Sequence, residues 1–198
     1  MPTDDFSDSV LPSLDLDELG QRSQSAKIPA RPKPGARPGD IIGERYIIDG
    51  QIGRGGMGRV LQARHLVLDK PFALKLSRAR YVTDPDERQR FYREARLASS
   101  LDHDNICRVV DFGDDPEFGL FMVMDLLEGQ VLKEKLIADG RLSPKAAADV
   151  MTQIAEALRY VHSQGIIHGD IKPDNILLVR TNGRPRRVKL RDFGLGHP

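Results

Sequence analysis

Three short apolar runs near the middle of the N-terminal half constrain the fold of this chain most. They read YIIDGQIG (46–53), GRVLQARH (58–65) and KPFALKLS (70–77), and turn-forming residues separate them. Apolar runs of this length, bounded by glycine, aspartate and proline, are typical of β-strands joined by turns. The sequence therefore predicts an antiparallel sheet, in which the glycine-rich stretch IGRGGMGRV (52–60) forms the turn between the first two strands.

Two charged residues in the next part of the chain are expected to face inward. In the third run, period-two alternation places Lys75 on the same face as Ala73. The following segment, DERQRFYREARLASSL (86–101), has the spacing of a helix, and Glu94 falls on its apolar stripe. A buried charge needs a partner. We therefore expect Lys75 and Glu94 to pair.

The second half of the chain alternates apolar runs with helical patterns. A nearly continuous apolar strand, LFMVMDLL (120–127), is followed by a short helix around 132–137. A longer helix is predicted from Ser143 to a stop at Gly165. Two further strands flank the turn residues at 182–183, which is a hairpin signal.

The loop HGDIKPDN (168–175) concentrates groups suited to phosphoryl transfer. Asp170 can accept the proton of an attacking hydroxyl, and Lys172 can neutralise charge on the transferred group. Asn175 can supply an oxygen ligand to Mg²⁺, and Asp192, after the hairpin, can supply a second. The sequence thus predicts catalytic roles for Asp170 and Lys172, and a magnesium site at Asn175 and Asp192.

With these motifs in order, the sequence resembles the eukaryotic-type serine/threonine protein kinases, and especially their bacterial members. The matching elements are IGRGGMGRV, FALK, Glu94 in a helix, HGDIKPDN and DFG at 192–194, and they span about three quarters of the chain. The resemblance implies an α+β, protein-kinase-like fold. It would have an antiparallel-sheet N-lobe with one helix and a partial, mainly helical C-lobe.

The predicted domain organisation has three parts. Residues 1–42 are acidic at first and then rich in proline and basic residues, which is typical of a disordered linker. Residues 43–124 form the expected N-lobe, and residues 125–198 the hinge and the partial C-lobe.

The resemblance also implies a role for each residue of the nucleotide site. The glycines cover the phosphates, Lys75 holds the α- and β-phosphates with Glu94 as its brace, and Met124 is the gatekeeper before the hinge. Phe193 is expected to pack near the helix of Glu94 and near His168. The residues implied to contact ATP are Ile52, Gly53, Gly55, Gly58, Val60, Ala73, Lys75, Glu94, Met124, Asp125, Leu127 and Leu177.

One departure from the family pattern is Gly169, which stands where most protein kinases have the arginine of His-Arg-Asp. Control through a phosphorylated activation loop is therefore not expected. His-Gly-Asp also occurs in kinase-like small-molecule phosphotransferases, which remain an alternative. Lys172, Pro173 and the GGMG loop favour a protein kinase, and Lys172 favours serine or threonine as the acceptor.

The second departure is that the sequence ends four residues after Gly194. The activation segment and the peptide-docking region of the family are not present in it. From the sequence we expect binding of Mg²⁺-ATP with poor transfer to protein by these 198 residues, and a truncated, pseudokinase-like nucleotide-binding module is a further alternative.

Bulk properties exclude several other classes. The net charge of +1 gives no field for recruiting nucleic acid, and no apolar run is long enough for a membrane span. The single cysteine, Cys107, lies in an apolar run and suits a reducing, cytoplasmic environment. The expected partners are ATP and a protein substrate with a serine or threonine acceptor.

Overall fold

A six-stranded antiparallel sheet forms the first part of the protein. The computed structural model describes residues 35–55, 58–77, 84–179 and 187–192. The strand order in this first sheet is β1-β2-β3-β4-β6-β5. The strands are β1 (Ile41–Ile42), β2 (Tyr46–Gly55), β3 (Gly58–His65), β4 (Pro71–Ser77), β5 (Val109–Asp115) and β6 (Gly119–Asp125). The three predicted strands at 46–77 are therefore confirmed as β2, β3 and β4.

Helix α1 (Pro85–Ser99) lies against this sheet. The Asp84 side chain caps its N-terminus by accepting from the backbone N–H of Asp86 at 2.9 Å, and Pro85 occupies the first turn, where its missing N–H costs nothing. The buried stripe includes Phe91 and Ala95, as the spacing predicts. Phe91 and Ala95 pack with Leu120 of β6.

A smaller sheet and two helices follow. Strands β7 (Gly129–Val131), β8 (Ile176–Val179) and β9 (Arg187–Leu190) form a three-stranded sheet. Helix α2 (Leu132–Asp139) follows β7, and α3 (Pro144–Ser163) begins at the Ser143 cap, where the Ser143 hydroxyl accepts from Ala146 N–H. Its buried stripe of Val150, Ile154, Ala157 and Val161 packs with Ile176, Leu178, Val188 and Leu190 of β8 and β9.

Backbone contacts join the second sheet to the segment that leads into β5 of the first sheet. The segment before β5 runs beside β9, where Cys107 N–H donates to Leu190 O at 2.7 Å and Leu190 N–H donates to Asn105 O at 2.8 Å. Ile106 and Leu190 form a parallel bridge there. This contact fixes the end of β9, and therefore the residues that follow it, relative to the first sheet.

The end of the predicted linker needs correction. Residues 1–42 were assigned to it, but Ala36 is 2% exposed within the core of the first sheet, and β1 pairs with β2. Gly39 N–H also donates to Ile48 O at 2.8 Å. Ala36 and Ile42 bury apolar side chains that the surrounding proline and charge pattern concealed. Residues 1–34 lie outside the described residues, as do the hairpin turn at 182–183 and Phe193.

In the part of the chain that the structure describes, none of the helices has the length and apolar character needed to cross a bilayer.

Candidate active site

The glycine-rich segment joins β2 to β3 at the edge of the candidate site. Gly53 lies opposite Val60, and Gly55 lies opposite Gly58. A Cβ added to Gly58 would lie 1.9 Å from the carbonyl oxygen of Leu76, and its φ of +153° is unfavourable for other residues. Gly58 is therefore required by the close approach of β3 to β4. Ile52, on β2, is 48% exposed.

An apolar cluster packs against Val60 of this glycine-rich segment. Ala73, Cys107 and Met124 are its buried members, and partly buried hydrophobic residues pack against it: Val60, Met122, Leu126 and Leu127. The structure thus brings together four of the residues that the family resemblance implies to contact ATP: Val60, Ala73, Met124 and Leu127.

Other residues near this cluster differ in how well the sequence predicted them. Asp125 N–H donates to Arg108 O at 3.1 Å, and the Asp125 carbonyl accepts from the Cys107 thiol at 3.9 Å. Leu177 is half buried on β8, opposite Lys189, and is not a member of the cluster.

Cys107 and Met122 were missed as site residues, because an apolar run does not show which neighbour it will meet. Burial raises the pKa of the Cys107 thiol to about 12, so the thiol is neutral at physiological pH.

The charge partner of Lys75 differs from the expected one. Its Nζ lies 2.5 Å from Oδ1 of Asp192, and the two side chains are 16% and 24% exposed. Glu94 has no cationic nitrogen within 4.0 Å among the described residues, although the charge of Lys75 still acts on it. The predicted Lys75–Glu94 ion pair is therefore wrong for this structure. Asp192 has a φ of +52°, a conformation that aspartate tolerates better than most residues, and this turn brings its carboxylate to Lys75.

Glu94 is half buried, and the part of the chain that the structure describes places no cationic group within ion-pair distance of it. Its pKa is raised from 4.5 to about 7, chiefly by burial, while the charge of Lys75 lowers it and the charge of Glu87 raises it. A substantial fraction of Glu94 is thus protonated at neutral pH. A neutral carboxyl group lowers the desolvation cost of this inward-facing position.

The loop between α3 and β8 forms a hydrogen-bonded unit around Asp170. Its Oδ2 accepts from Lys172 Nζ at 2.5 Å and from Asn175 Nδ2 at 2.9 Å, and its backbone carbonyl accepts from the same Nδ2 at 2.8 Å. The Lys172 hydrogen bond is the main cause of the lowered pKa of Asp170, and the Asn175 bond adds to it. Asp170 is therefore ionised at neutral pH.

His168 is buried and binds the backbone of this loop. It is 1% exposed, its Nδ1 accepts from Asp170 N–H at 3.3 Å, and burial lowers its pKa. Gly169 has a φ of +73°, in the left-handed region that glycine enters without strain.

The two candidate metal ligands lie at the same end of the β8–β9 hairpin. Ile176 pairs with Leu190, and Arg191 N–H donates to Asn175 O at 3.0 Å, so Asn175 and Asp192 stand on adjacent chain segments. Asp192 already holds a cationic nitrogen, that of Lys75, which shows that its carboxylate is open to positive charge. A carboxylate and an amide oxygen fit the preference of Mg²⁺ for oxygen ligands.

This pair alone does not make a closed metal site. Across residues 35–55, 58–77, 84–179 and 187–192, no group of three histidine, cysteine, aspartate or glutamate side chains could hold a metal ion. A bound Mg²⁺ would therefore need further oxygens, such as those of water and phosphate, which Mg²⁺ commonly keeps in proteins.

Comparison with known proteins identifies the family and the fold. The family model for the protein kinase domain matches residues 46–197. The serine/threonine-protein kinase PrkC of Bacillus subtilis is 41% identical over 157 residues, which cover 79% of this chain and 24% of PrkC. The chain spans about a quarter of the length of the curated relatives it matches.

Solved structures give the same result. The crystal structure of the Mycobacterium tuberculosis PknI kinase domain matches with a TM-score of 0.70 and 28% identity, over 82% of this chain and 64% of that one. A structure of Rad53 residues 1–466 in complex with AMP-PNP matches with a TM-score of 0.65 and 33% identity, over 76% of this chain and 38% of that one. The family model covers every residue of the cluster, the ion pair and the Asp170 loop, and the chain therefore belongs to the protein kinase family.

Proposed function

We propose that this chain supplies the ATP-binding and phosphoryl-transfer residues of a serine/threonine protein kinase. The donor is Mg²⁺-ATP, and the acceptor is a serine or threonine hydroxyl of a protein. The observation that carries the proposal is the convergence of Lys75 from β4 with Asp192 after β9, at 2.5 Å, beside the Asp170–Asn175 unit. The curated relatives are named as serine/threonine-protein kinases, and Rad53 was solved with an ATP analogue.

Each group has a chemical task in this proposal. The apolar cluster of Ala73, Cys107 and Met124 receives the adenine ring, because it is buried and packs against Val60 of the glycine-rich segment. Lys75 would hold phosphate oxygens through charge-assisted hydrogen bonds, and Asp192, together with Asn175, would hold the metal ion. Mg²⁺, when bound, neutralises phosphate charge.

The Asp170 loop completes the proposed machinery. Asp170 orients the acceptor hydroxyl and takes its proton, and its hydrogen bonds to Lys172 and Asn175 hold the carboxylate in place. Lys172 is half exposed, so it can turn from Asp170 to a phosphate oxygen. Positioning and charge neutralisation supply most of the rate in this type of reaction.

Nucleotide binding is tested with a fluorescent ATP analogue and the variant Lys75→Met. We expect the wild-type chain to bind the analogue in a Mg²⁺-dependent manner, and Lys75→Met to weaken binding by about tenfold or more, because charge-assisted hydrogen bonds contribute roughly 1.5–3 kcal/mol. Lys70→Met is the matched control, since Lys70 is an exposed lysine just before the same strand. If Lys75→Met and wild type bound the analogue with equal affinity, Lys75 would not be a phosphate-binding residue.

Transfer is tested separately with radiolabelled ATP and a generic protein acceptor, using the full-length protein. Asp170→Asn should abolish phosphorylation while ATP affinity stays within a few fold, because Asp170 acts on the acceptor rather than on the nucleotide. Retained transfer by Asp170→Asn would show that another group takes the proton.

A further inference from the structure

Arg191 holds the segment that carries one candidate metal ligand, and it directly precedes the other. Its backbone N–H donates to Asn175 O at 3.0 Å. Its side chain donates from Nε and Nη2 to Asp174 O, at 3.3 and 2.9 Å. One residue thus binds two successive carbonyl groups of the 3₁₀ turn Pro173–Asn175.

These contacts continue the β8–β9 pairing beyond the end of the strands. The paired residues end at Ile176 and Leu190, so the ladder does not reach Asn175 or Asp192. Arg191 supplies the next backbone hydrogen bond and adds a two-donor contact from its guanidinium group. Because the guanidinium is planar and its donors are fixed relative to one another, this contact restricts rotation of the turn more than a single bond would.

Among the described residues, Asp174 also forms an ion pair through its carboxylate, and this pair is more exposed than the Arg191 contact. Lys133 Nζ lies 2.7 Å from Oδ1 of Asp174, and the two side chains are 54% and 44% exposed. Exposed pairs of this kind contribute little, typically up to about 1 kcal/mol. The half-buried Arg191 contact is therefore the stronger restraint on the peptide that leads into Asn175.

We propose that Arg191 is a positioning residue for magnesium, which sets the separation of the Asn175 and Asp192 side chains through its bonds to Asp174 and Asn175. This inference rests on the proposed function, since it assumes that the two side chains hold the metal. Groups that orient metal ligands commonly change metal affinity by about 10–100-fold when they are removed.

The direction in which Mg²⁺ affinity changes when Arg191 is replaced distinguishes a positioning role from a purely electrostatic one. Arg191 is a permanent cation beside a cation site, so removing its charge alone would strengthen Mg²⁺ binding. Loss of positioning would weaken it. A direct contact between Arg191 and phosphate would give a third pattern, in which nucleotide affinity falls even without metal.

The experiment measures binding of a fluorescent ATP analogue in EDTA and across a Mg²⁺ titration, for wild type, Arg191→Met, Arg191→Lys and Arg187→Met. Arg191→Met keeps the aliphatic part of the side chain and removes its donors. Arg187→Met is the matched control, because Arg187 is on the same hairpin and its partner, Asp104, is exposed. Thermal melts establish that each variant is folded.

We expect Arg191→Met to raise the Mg²⁺ concentration at half-saturation by about tenfold, with affinity in EDTA unchanged within twofold. Arg191→Lys, which keeps the charge and can donate to Asp174 O, should lie between Arg191→Met and wild type. Arg187→Met should match wild type.

Three results would overturn the inference. The first is a Mg²⁺ concentration at half-saturation that is unchanged or lowered in Arg191→Met. The second is a loss of nucleotide affinity in Arg191→Met that is as large in EDTA as in Mg²⁺. The third is a rise in the Mg²⁺ requirement of Arg187→Met equal to that of Arg191→Met. If the wild-type chain bound no nucleotide, the proposed function would fail and the inference with it. If the wild type bound the nucleotide with Mg²⁺ and Arg191→Met had the same Mg²⁺ requirement, the inference about Arg191 would fail and the proposed function would stand.

Discussion

At the scale of single residues, Glu94 shows how burial and distance together set the state of a carboxyl group. Its helix places it inward, but Lys75 is held by Asp192, so the nearest favourable charge is too far away to offset desolvation. The pKa of Glu94 is raised to about 7 for this reason. The position is therefore sensitive to pH near neutrality.

We expect Glu94→Gln to stabilise the protein at high pH and to have little effect at low pH. Between pH 4.5 and about 7, Glu94 keeps its proton in the native state but has lost it in the unfolded chain. The contribution of Glu94 to the free energy of unfolding therefore falls as the pH rises through this window, and it is lowest above pH 7. Because the side chain is only half buried, we discount the effect to about 1 kcal/mol, or roughly 2–4 °C in the melting temperature.

The measurement is the melting temperature of wild type and Glu94→Gln between pH 4.5 and 8. Glu156→Gln is the control, because Glu156 is exposed on α3. A difference between Glu94→Gln and wild type that does not grow with pH would contradict the raised pKa of Glu94.

At the scale of elements, helix α1 is attached to β5 by a buried ion pair. Arg88 Nη2 lies 2.8 Å from Oδ2 of Asp114, with side chains 11% and 16% exposed. Arg88 Nη1 and Asp114 Oδ1 are buried without hydrogen-bond partners among the described residues. Each charge therefore depends strongly on the other.

Arg88→Met should destabilise the protein by about 3 kcal/mol, because it leaves Asp114 buried without its cation. The double variant Arg88→Met/Asp114→Leu should recover much of this loss. Urea unfolding provides both values. Arg90→Met, which removes an exposed pair with Glu87 on the same helix, should cost less than about 1 kcal/mol. If the double variant were less stable than Arg88→Met, the loss of stability in Arg88→Met would not come from leaving Asp114 without its cation.

At the scale of the whole molecule, Asn105 connects α3, β9 and the segment that enters the first sheet. Its Nδ2 donates to Gln153 Oε1 and to Val188 O, both at 2.9 Å, and its carbonyl accepts from Leu190. The side chain is 6% exposed. Its bonds are therefore made in a dry environment, where losing them is costly.

We expect Asn105→Ala to lower the free energy of unfolding by about 1–3 kcal/mol, because Val188 O loses a buried donor. Far-UV circular dichroism during urea unfolding measures this change. Gln164→Ala, at an exposed position after α3, should change stability by no more than about 0.5 kcal/mol. Equal effects of the two substitutions would show that Asn105 does not connect these elements.

The sequence by itself determined the chemical groups of the candidate site and most of the elements, although not strands β1, β5 and β7. Strands β2 to β4, helices α1 to α3 and the loop with Asp170, Lys172 and Asn175 were all predicted, since periodicity, caps and turn residues act between neighbours in the chain. The apolar stripe of α1 identified its buried face, although Arg88 was not recognised as buried. These features depend on short-range geometry, which a sequence pattern records directly.

Only the tertiary structure decided which charged groups meet. Lys75 and Asp192 are 117 residues apart in the chain, and Asp192 rather than Glu94 lies within reach because β9 is fixed to the first sheet at Cys107. Arg191 likewise gained a role only where the turn at Asp174 lay beside it. A charge can pair with several others of suitable sign, and the choice among them depends on distances that are set when distant segments pack together.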